Sequence, residues 1–208
     1  LTISQSHSVR RERISKIKRD TARITIDTSN YVGTGFFVNQ KGGLLTCWHV
    51  IRPAFLKKPF KKIFVQLNTG EKLEYGIPDI LLNDSDFIKS CMIYDFCFLV
   101  PAKPDIRLFS FLNIGNYSDL IEGDGVYTCG YPLGISQQFV SQGIVSTKYQ
   151  DTISYSKNNI IKDKELRNQS LLDLTLNKGN SGGAVVKLGK TPEEDKVIGI
   201  ADFIIIPY

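Results

Sequence analysis

Residues 176–185, "LNKGNSGGAV", set one serine, Ser181, between two glycine-rich halves and lead straight into strand-forming residues. Such a string leaves few side chains to crowd the hydroxyl, and it permits backbone conformations that expose N–H groups beside it. It reads either as a tight turn or as the setting of a nucleophile. A serine hydroxyl is a poor nucleophile unless a general base lies within hydrogen-bond reach, and that base is usually a histidine. The sequence holds two histidines, and His7 sits in the polar stretch "SQSHSVRRE". His49 is the remaining candidate, at the end of "GTGFFVNQKGGLLTCWHV", which reads as a strand, a glycine-containing turn and a second strand delivering the histidine at its tip. A lone histidine at a strand end is more often structural than catalytic, so its weight depends on its partners.

The imidazole needs a carboxylate to fix its tautomer and to stabilise the imidazolium formed during reaction. Asp95 stands out because it lies inside the apolar run "CMIYDFCFLV". A buried carboxylate is costly unless something pairs with it. Read as a strand, the run puts Cys91, Ile93, Asp95 and Cys97 on one face and Met92, Tyr94, Phe96 and Phe98 on the other. Asp84 and Asp86 are alternatives, but they fall in the polar segment "NDSDF" and read as turn residues. The chain order His49, Asp95, Ser181 discriminates between fold families. "GNSGG" also satisfies the Gly-x-Ser-x-Gly elbow of α/β-hydrolases, but that elbow requires a helix after the serine and a histidine later in the chain. Here the strand-like "GAVVKL" follows and no histidine comes after Ser181.

The elements that must position these residues are short β-rich runs separated by Gly, Asn, Asp and Pro turns. They begin at "ARITI" and continue through "TGFFV", "GLLTCWHV", "KIFVQL", "GVYTCGY", "QFVSQGIVSTKY", "GAVVKL" and "VIGIADFIII". This spacing points to an all-β sandwich or barrel rather than alternating strands and helices. The proline-containing run 101–123 interrupts the pattern with roughly equal numbers of strands on either side. The expected organisation is a polar and basic segment over 1–21, a first unit over 22–107, a linker over 108–120 and a second unit over 121–208. The first segment reads as a polar tail and a short basic helix whose apolar contacts are Ile14 and Ile17, an appendage to the body. "QDTISYSKNNIIKDKELRNQS" reads as a long hairpin loop. Opening on Leu1 and closing on "VIGIADFIIIPY", the sequence is expected to be part of a longer chain.

With 208 residues, 42% of them hydrophobic, the chain can bury a sizeable core. Its apolar runs fall short of the roughly 20 residues that span a bilayer, so no membrane segment is expected within it. The net charge of +5 gathers in "RRERISKIKRD" and "KKPFKK". Neither is interleaved with aromatics as a nucleic-acid surface would be, so solvated charge is expected and nucleic acid is not. The four cysteines form no Cys-x-x-Cys pair and have no histidine cluster beside them, so no metal is expected. If "CMIYDFCFLV" is a strand, six residues at about 3.3 Å each hold Cys91 and Cys97 roughly 20 Å apart. All four therefore read as buried thiols of a reducing compartment, intracellular and cytoplasmic.

In their order along residues 22–206, "GTGFFVNQKGGLLTCWHVI", "YDFCFLV", "GDGVYTCGYPLGISQQFVSQGIVS", "DLTLNKGNSGGAVV" and "KVIGIADF" resemble the chymotrypsin-like serine peptidases. They are closest to the HtrA/Deg branch and related trypsin-like peptidases without disulfides. The resemblance implies two six-stranded antiparallel β-barrels, here with a short basic N-terminal helix, and a cleft between them. His49 and Asp95 would come from the first barrel and Ser181 from the second. It implies an oxyanion hole of backbone N–H groups from Gly179, Ser181 and Asn180. It also implies a pocket with Thr175 at its base, and an edge of Ala201, Asp202, Phe203 and Ile204 that pairs with an extended substrate. No acid occupies the pocket base, so a trypsin-like preference for Arg or Lys is not implied, and Ile204 would favour small or medium apolar side chains. Asp202 falls where relatives often carry a Ser or Thr that bonds the triad aspartate, so a second carboxylate could approach Asp95 and perturb its titration.

The reading is a serine endopeptidase acting on protein or peptide substrates without a cofactor. It could be latent until a ligand, a regulatory partner or further domains of the chain order the loops around 150–170 and 175–180, the second of which includes the oxyanion loop. The alternative is an inactive relative that keeps the fold as a peptide-binding or scaffold module.

Overall fold

A computed structural model describes residues 3–27, 32–56, 58–157 and 160–202. It begins with helix α1 (Ile3–Asp20), followed by β1 (Thr21–Ile26), β2 (Val32–Phe37) and β3 (Leu44–Thr46). The single turn α2 (Trp48–Ile51) leads to β4 (Ile63–Gln66) and β5 (Lys72–Gly76). Two helices, α3 (Asp79–Leu82) and α4 (Ser85–Tyr94), then precede β6 (Cys97–Pro101). These six strands close into a barrel in the order β1-β2-β3-β6-β5-β4. The alternation of "TARITI" explains how: Ala22, Ile24 and Ile26 turn inward and are fully buried, while Arg23 and Thr25 stay partly exposed. They join Val65, Leu99, Leu44 and Ile63 in the barrel core.

The second half contains β7 (Gly125–Gly130), β8 (Phe139–Lys157), β9 (Ile160–Asp173), β10 (Ala184–Lys187) and β11 (Lys196–Ile200). They form a curled sheet in the order β11-β10-β7-β8-β9. Among the described residues this sheet has five strands rather than six. It repeats the strand order of the first barrel and is open between β9 and β11, where the first barrel has β6. The polar run around 150–170 is not a loop in backbone terms. The β8–β9 pairing continues as a two-stranded ribbon from Ile144↔Asp173 out to Lys157↔Ile160.

Two further expectations are corrected. "SCMIY" is helical, because Asp84 caps α4 by accepting from the N–H groups of Asp86 and Phe87, worth about 1 kcal/mol. The strand begins only at Cys97, after Asp95 reverses the chain in a left-handed conformation with φ 51°. That reversal brings the buried, free Cys91 and Cys97 thiols near enough to influence each other's ionisation instead of leaving them distant points on one strand. The N-terminal segment is likewise no appendage, since α1 is an 18-residue helix docked on the body. Ile17 is fully buried against Phe36, Leu112 and Tyr127. Arg13 pairs with the buried Asp195 at 2.9 Å and donates to the Gly189 carbonyl at 2.6 Å. Lys16 donates to the Phe111 carbonyl at 2.8 Å. Part of the basic cluster thus serves internal contacts. Among the described residues, no helix is long and apolar enough to cross a membrane.

Candidate active site

His49 lies in the one-turn helix α2 that follows β3, and Asp95 ends α4. Both elements belong to the first half, and α2 and α4 pack on each other. The left-handed turn aims the Asp95 carboxylate at His49 from two directions. One oxygen accepts from the His49 backbone N–H at 2.8 Å, and the other meets Nδ1 at 2.6 Å. This grip places the Nδ1 proton against Asp95, so that the lone pair of the neutral ring is carried on Nε2.

Ser181 comes from the loop between β9 and β10, and its hydroxyl donates to the Asp202 carbonyl at 3.2 Å. Asp202 stands beside both groups, with its carboxylate 3.9 Å from His49 Nδ1. The structure therefore gathers His49, Asp95, Ser181 and Asp202 at one place, with the Ser181 proton resting on a backbone carbonyl.

The loop around Ser181 is shaped by two glycines in left-handed conformations, Gly179 at φ 100° and Gly182 at φ 88°. A Cβ on Gly182 would fall 2.0 Å from the Thr34 carbonyl oxygen, and one on Gly179 would fall 2.2 Å from the Tyr131 carbonyl oxygen. The Lys178 carbonyl accepts from Leu133 N–H at 2.6 Å, and the Asn180 carbonyl accepts from Gly183 N–H at 2.9 Å. Because each peptide is trans, the N–H groups of Gly179 and Ser181 point away from those partners. Among the described residues, neither donates to a backbone carbonyl. The Asn180 N–H differs: it donates to the Asn177 carbonyl at 3.0 Å, and the residue is buried.

Thr34, on β2, ties this loop to the other half, a role the sequence reading missed. Its N–H donates to the Ser181 carbonyl at 2.9 Å, its hydroxyl donates to the Gly179 carbonyl at 2.7 Å, and the same hydroxyl accepts from Tyr131 N–H at 3.1 Å.

A cleft of about 650 Å³ opens beside Asp95 and Asp202. Thr175 and Ala201 are among the residues that line it, and Leu172, Leu174, Leu176, Ile198 and Ile200 make its walls apolar. Arg167 on β9 also lines it and reaches Asp202 at 3.3 Å, a contact that nothing in its polar sequence surroundings signals. The Ala201 backbone is already engaged. Its N–H donates to Gly183, and its carbonyl accepts from Gly182 N–H and the Cys47 thiol. Phe203 and Ile204, the rest of the edge expected to pair with an extended substrate, lie outside the described residues.

The electrostatics follow from this crowding. Burial pushes the Asp95 carboxyl up, but hydrogen bonds from the His49 ring, Asp202 and the His49 N–H outweigh it and hold Asp95 below the usual carboxylate range. The Asp95 bond raises His49 above its ordinary value despite burial, with help from the charges of Asp95 and Asp202. Asp202 is pushed up to about 7 by burial, then by its hydrogen bond to Asp95 and that residue's charge, against the opposing pull of Arg167 and His49. Donor atoms of Cys47, His49, Asp95 and Asp202 lie within 4.8 Å of one another, close enough to surround one cation. The chemistry argues against that use. Nδ1 is committed to Asp95, and burial drives the Cys47 thiol far above its ordinary value, away from the thiolate a metal binds.

Comparison with known proteins places this arrangement. Residues 33–200 match the family described as the trypsin-like peptidase domain. The chain is 30% identical over 168 residues to the serine protease HTRA3 of Rattus norvegicus, covering 81% of this chain and 32% of that protein. It is 31% identical over 171 residues to the serine protease HTRA4 of Homo sapiens, covering 82% and 30%. It is 28% identical over 160 residues to the mitochondrial serine protease HTRA2 of Drosophila erecta, covering 75% and 32%. The chain spans about a third of the length of these relatives. A matched domain running from β2 to the end of β11, carrying His49, Asp95 and Ser181 in one cluster, makes the chain a member of the trypsin-like serine peptidase family, of HtrA type.

Proposed function

We propose that this chain is a serine endopeptidase in which Ser181 attacks a peptide carbonyl, His49 takes the Ser181 proton on Nε2 and later delivers it to the leaving amine, and Asp95 orients His49. The observation that carries the reading is the double grip of Asp95 on His49, at 2.6 and 2.8 Å, beside the serine of a "GNSGG" loop. In this reading the N–H groups of Gly179 and Ser181 receive the oxyanion. One such donor is worth about 10²–10³ in rate. Asn180 is left out because its N–H holds the turn. The apolar walls around Thr175 support a preference for apolar side chains next to the scissile bond.

The Ser181 hydroxyl rests on the Asp202 carbonyl. An extended substrate pairing with this edge competes for that carbonyl, and releasing the hydroxyl toward His49 is then part of binding. This supports a resting state that a ligand or partner converts. Four buried free thiols support an intracellular, cytoplasmic setting. The test is labelling of the purified protein with a fluorophosphonate, which reports an activated serine directly. The expected result is labelling that Ser181→Ala and His49→Ala both abolish. A folded wild type that stays unlabelled alone and with peptide substrates present favours the scaffold reading.

A further inference from the structure

Asp95 and Asp202 approach each other from different halves of the molecule, one at the end of α4 and the other just after β11. Their side chains are only 16% and 28% exposed. Two ionised carboxylates do not share a hydrogen bond, since neither has a proton to give. A carboxylate oxygen of Asp95 and one of Asp202 lie within 4.8 Å of each other, so the repulsion between them is relieved when one of the two holds a proton and can donate it. Asp95 is the worse candidate, because it already accepts two N–H bonds from His49. Among the described residues, no N–H group donates to the inner side of Asp202. Its Oδ1 faces His49 Nδ1 at 3.9 Å, and only its outer oxygen meets a cation, Arg167, at 3.3 Å.

We propose that Asp202 is a positioning residue of this centre, whose carboxyl group acts as a neutral acid that donates to Asp95, while its backbone carbonyl seats the Ser181 hydroxyl. The inference rests on the peptidase reading and adds a fourth residue to it. The groups facing Asp202 are His49 from α2, the neutral Cys47 thiol just before α2, Asp95 from α4 and Arg167 from β9. With Asp202 protonated, the carboxylate pair carries one negative charge, enough to orient His49 and to stabilise its imidazolium. With Asp202 ionised, a second negative charge beside Nδ1 tightens the His49 proton and withholds the base. A neutral imidazole beside a protonated Asp202, and an imidazolium beside an ionised one, hold the same number of protons. His49 and Asp202 therefore compete for a single proton, and they titrate as a unit. The upward shift of Asp202, with burial and Asp95 as its causes, agrees with this geometry.

Carboxyl and imidazole NMR titrations on the Ser181→Ala protein test this without needing catalysis. The expected result is an Asp202 carboxyl titrating near about 7, together with a His49 midpoint that falls in Asp202→Asn by roughly a tenfold change in proton affinity. Asparagine keeps a donor for Asp95 and removes the charge. Alanine removes both, so the fluorophosphonate labelling rate of Asp202→Ala is expected to fall at least tenfold below that of Asp202→Asn. An Asp202 carboxyl titrating in the ordinary range near 4, a His49 midpoint unmoved in Asp202→Asn, or equal labelling of the two variants when the unsubstituted protein labels overturns the proposal. The Asp202 carboxyl titration, which is read without any substitution at Asp202, stands even if an Asp202 variant fails to fold. Absence of labelling in every protein, with the titrations as expected, overturns the peptidase reading and leaves the Asp202–His49 coupling in place.

Discussion

Asp95 and Asp202 pull stability in opposite directions as pH changes. Asp95 is held below its unfolded value, so its contribution is present above that value and is lost as pH falls through the folded one. Asp202 is raised, so the folded state holds its proton more tightly than the unfolded chain does. Its contribution is present below about 4 and is lost as pH rises toward about 7. Asp202→Asn is therefore expected to lose stability relative to wild type least, or to gain, at pH values above 7. Thermal melts of both proteins at mildly acidic and mildly alkaline pH check the sign, and a larger deficit on the alkaline side would contradict it. A second expectation concerns Gly182. Alanine there places a methyl group against the Thr34 carbonyl in a backbone conformation that L-residues avoid, so Gly182→Ala should abolish labelling while far-UV signal persists. The grouping of His49, Asp95 and Ser181 as candidates was legible in the sequence because nucleophilic catalysis accepts few residue types and the chain holds only two histidines, one of them in a polar stretch. The acidic character of Asp202 was legible too, as a departure from the family. Its partner Arg167 was not, since its contact with Asp202 depends on where the β8–β9 ribbon lies.

At the level of elements, the strand pattern of the first barrel could be read directly, whereas the helix carrying Cys91 and Ile93 could not. A short apolar run with aromatic neighbours fits a buried strand and a buried helix equally well, and the deciding signal was the capping Asp84 upstream. Thr34 shows another limit. Flanked by Gly33 and Gly35 in "VGTGFF", it looks like any strand threonine, and its importance comes from what the other half brings to it. Thr34→Val keeps the shape and the backbone bonds but strands the Gly179 carbonyl and the Tyr131 N–H. A destabilisation of about 1–3 kcal/mol is expected from the unsatisfied groups. Labelling should fall by more than that loss alone explains, because the carbonyl released is the one that fixes the Gly179 turn. Chemical denaturation alongside labelling rates separates the two effects.

Across the whole molecule, α1 serves as a brace on the second half. Arg13 neutralises Asp195, which is 4% exposed and also accepts from Tyr127 and the Gly189 N–H. Removing one partner of such a pair leaves a buried charge, so Arg13→Ala is expected to cost about 3–5 kcal/mol. Urea unfolding measures it, and a cost well under that range would mean that water reaches Asp195 once the helix loosens. The bonds from Thr34 to Gly179 and Ser181 carry a different consequence, one of time. They join positions 145 and more residues apart in the chain, across two sheets that each assemble through their own long-range pairings. Contacts of that separation form late, after the segments between them have ordered. On dilution from denaturant, sheet structure should return first and the ability of Ser181 to react should return last, with a lag set by the docking of the two halves.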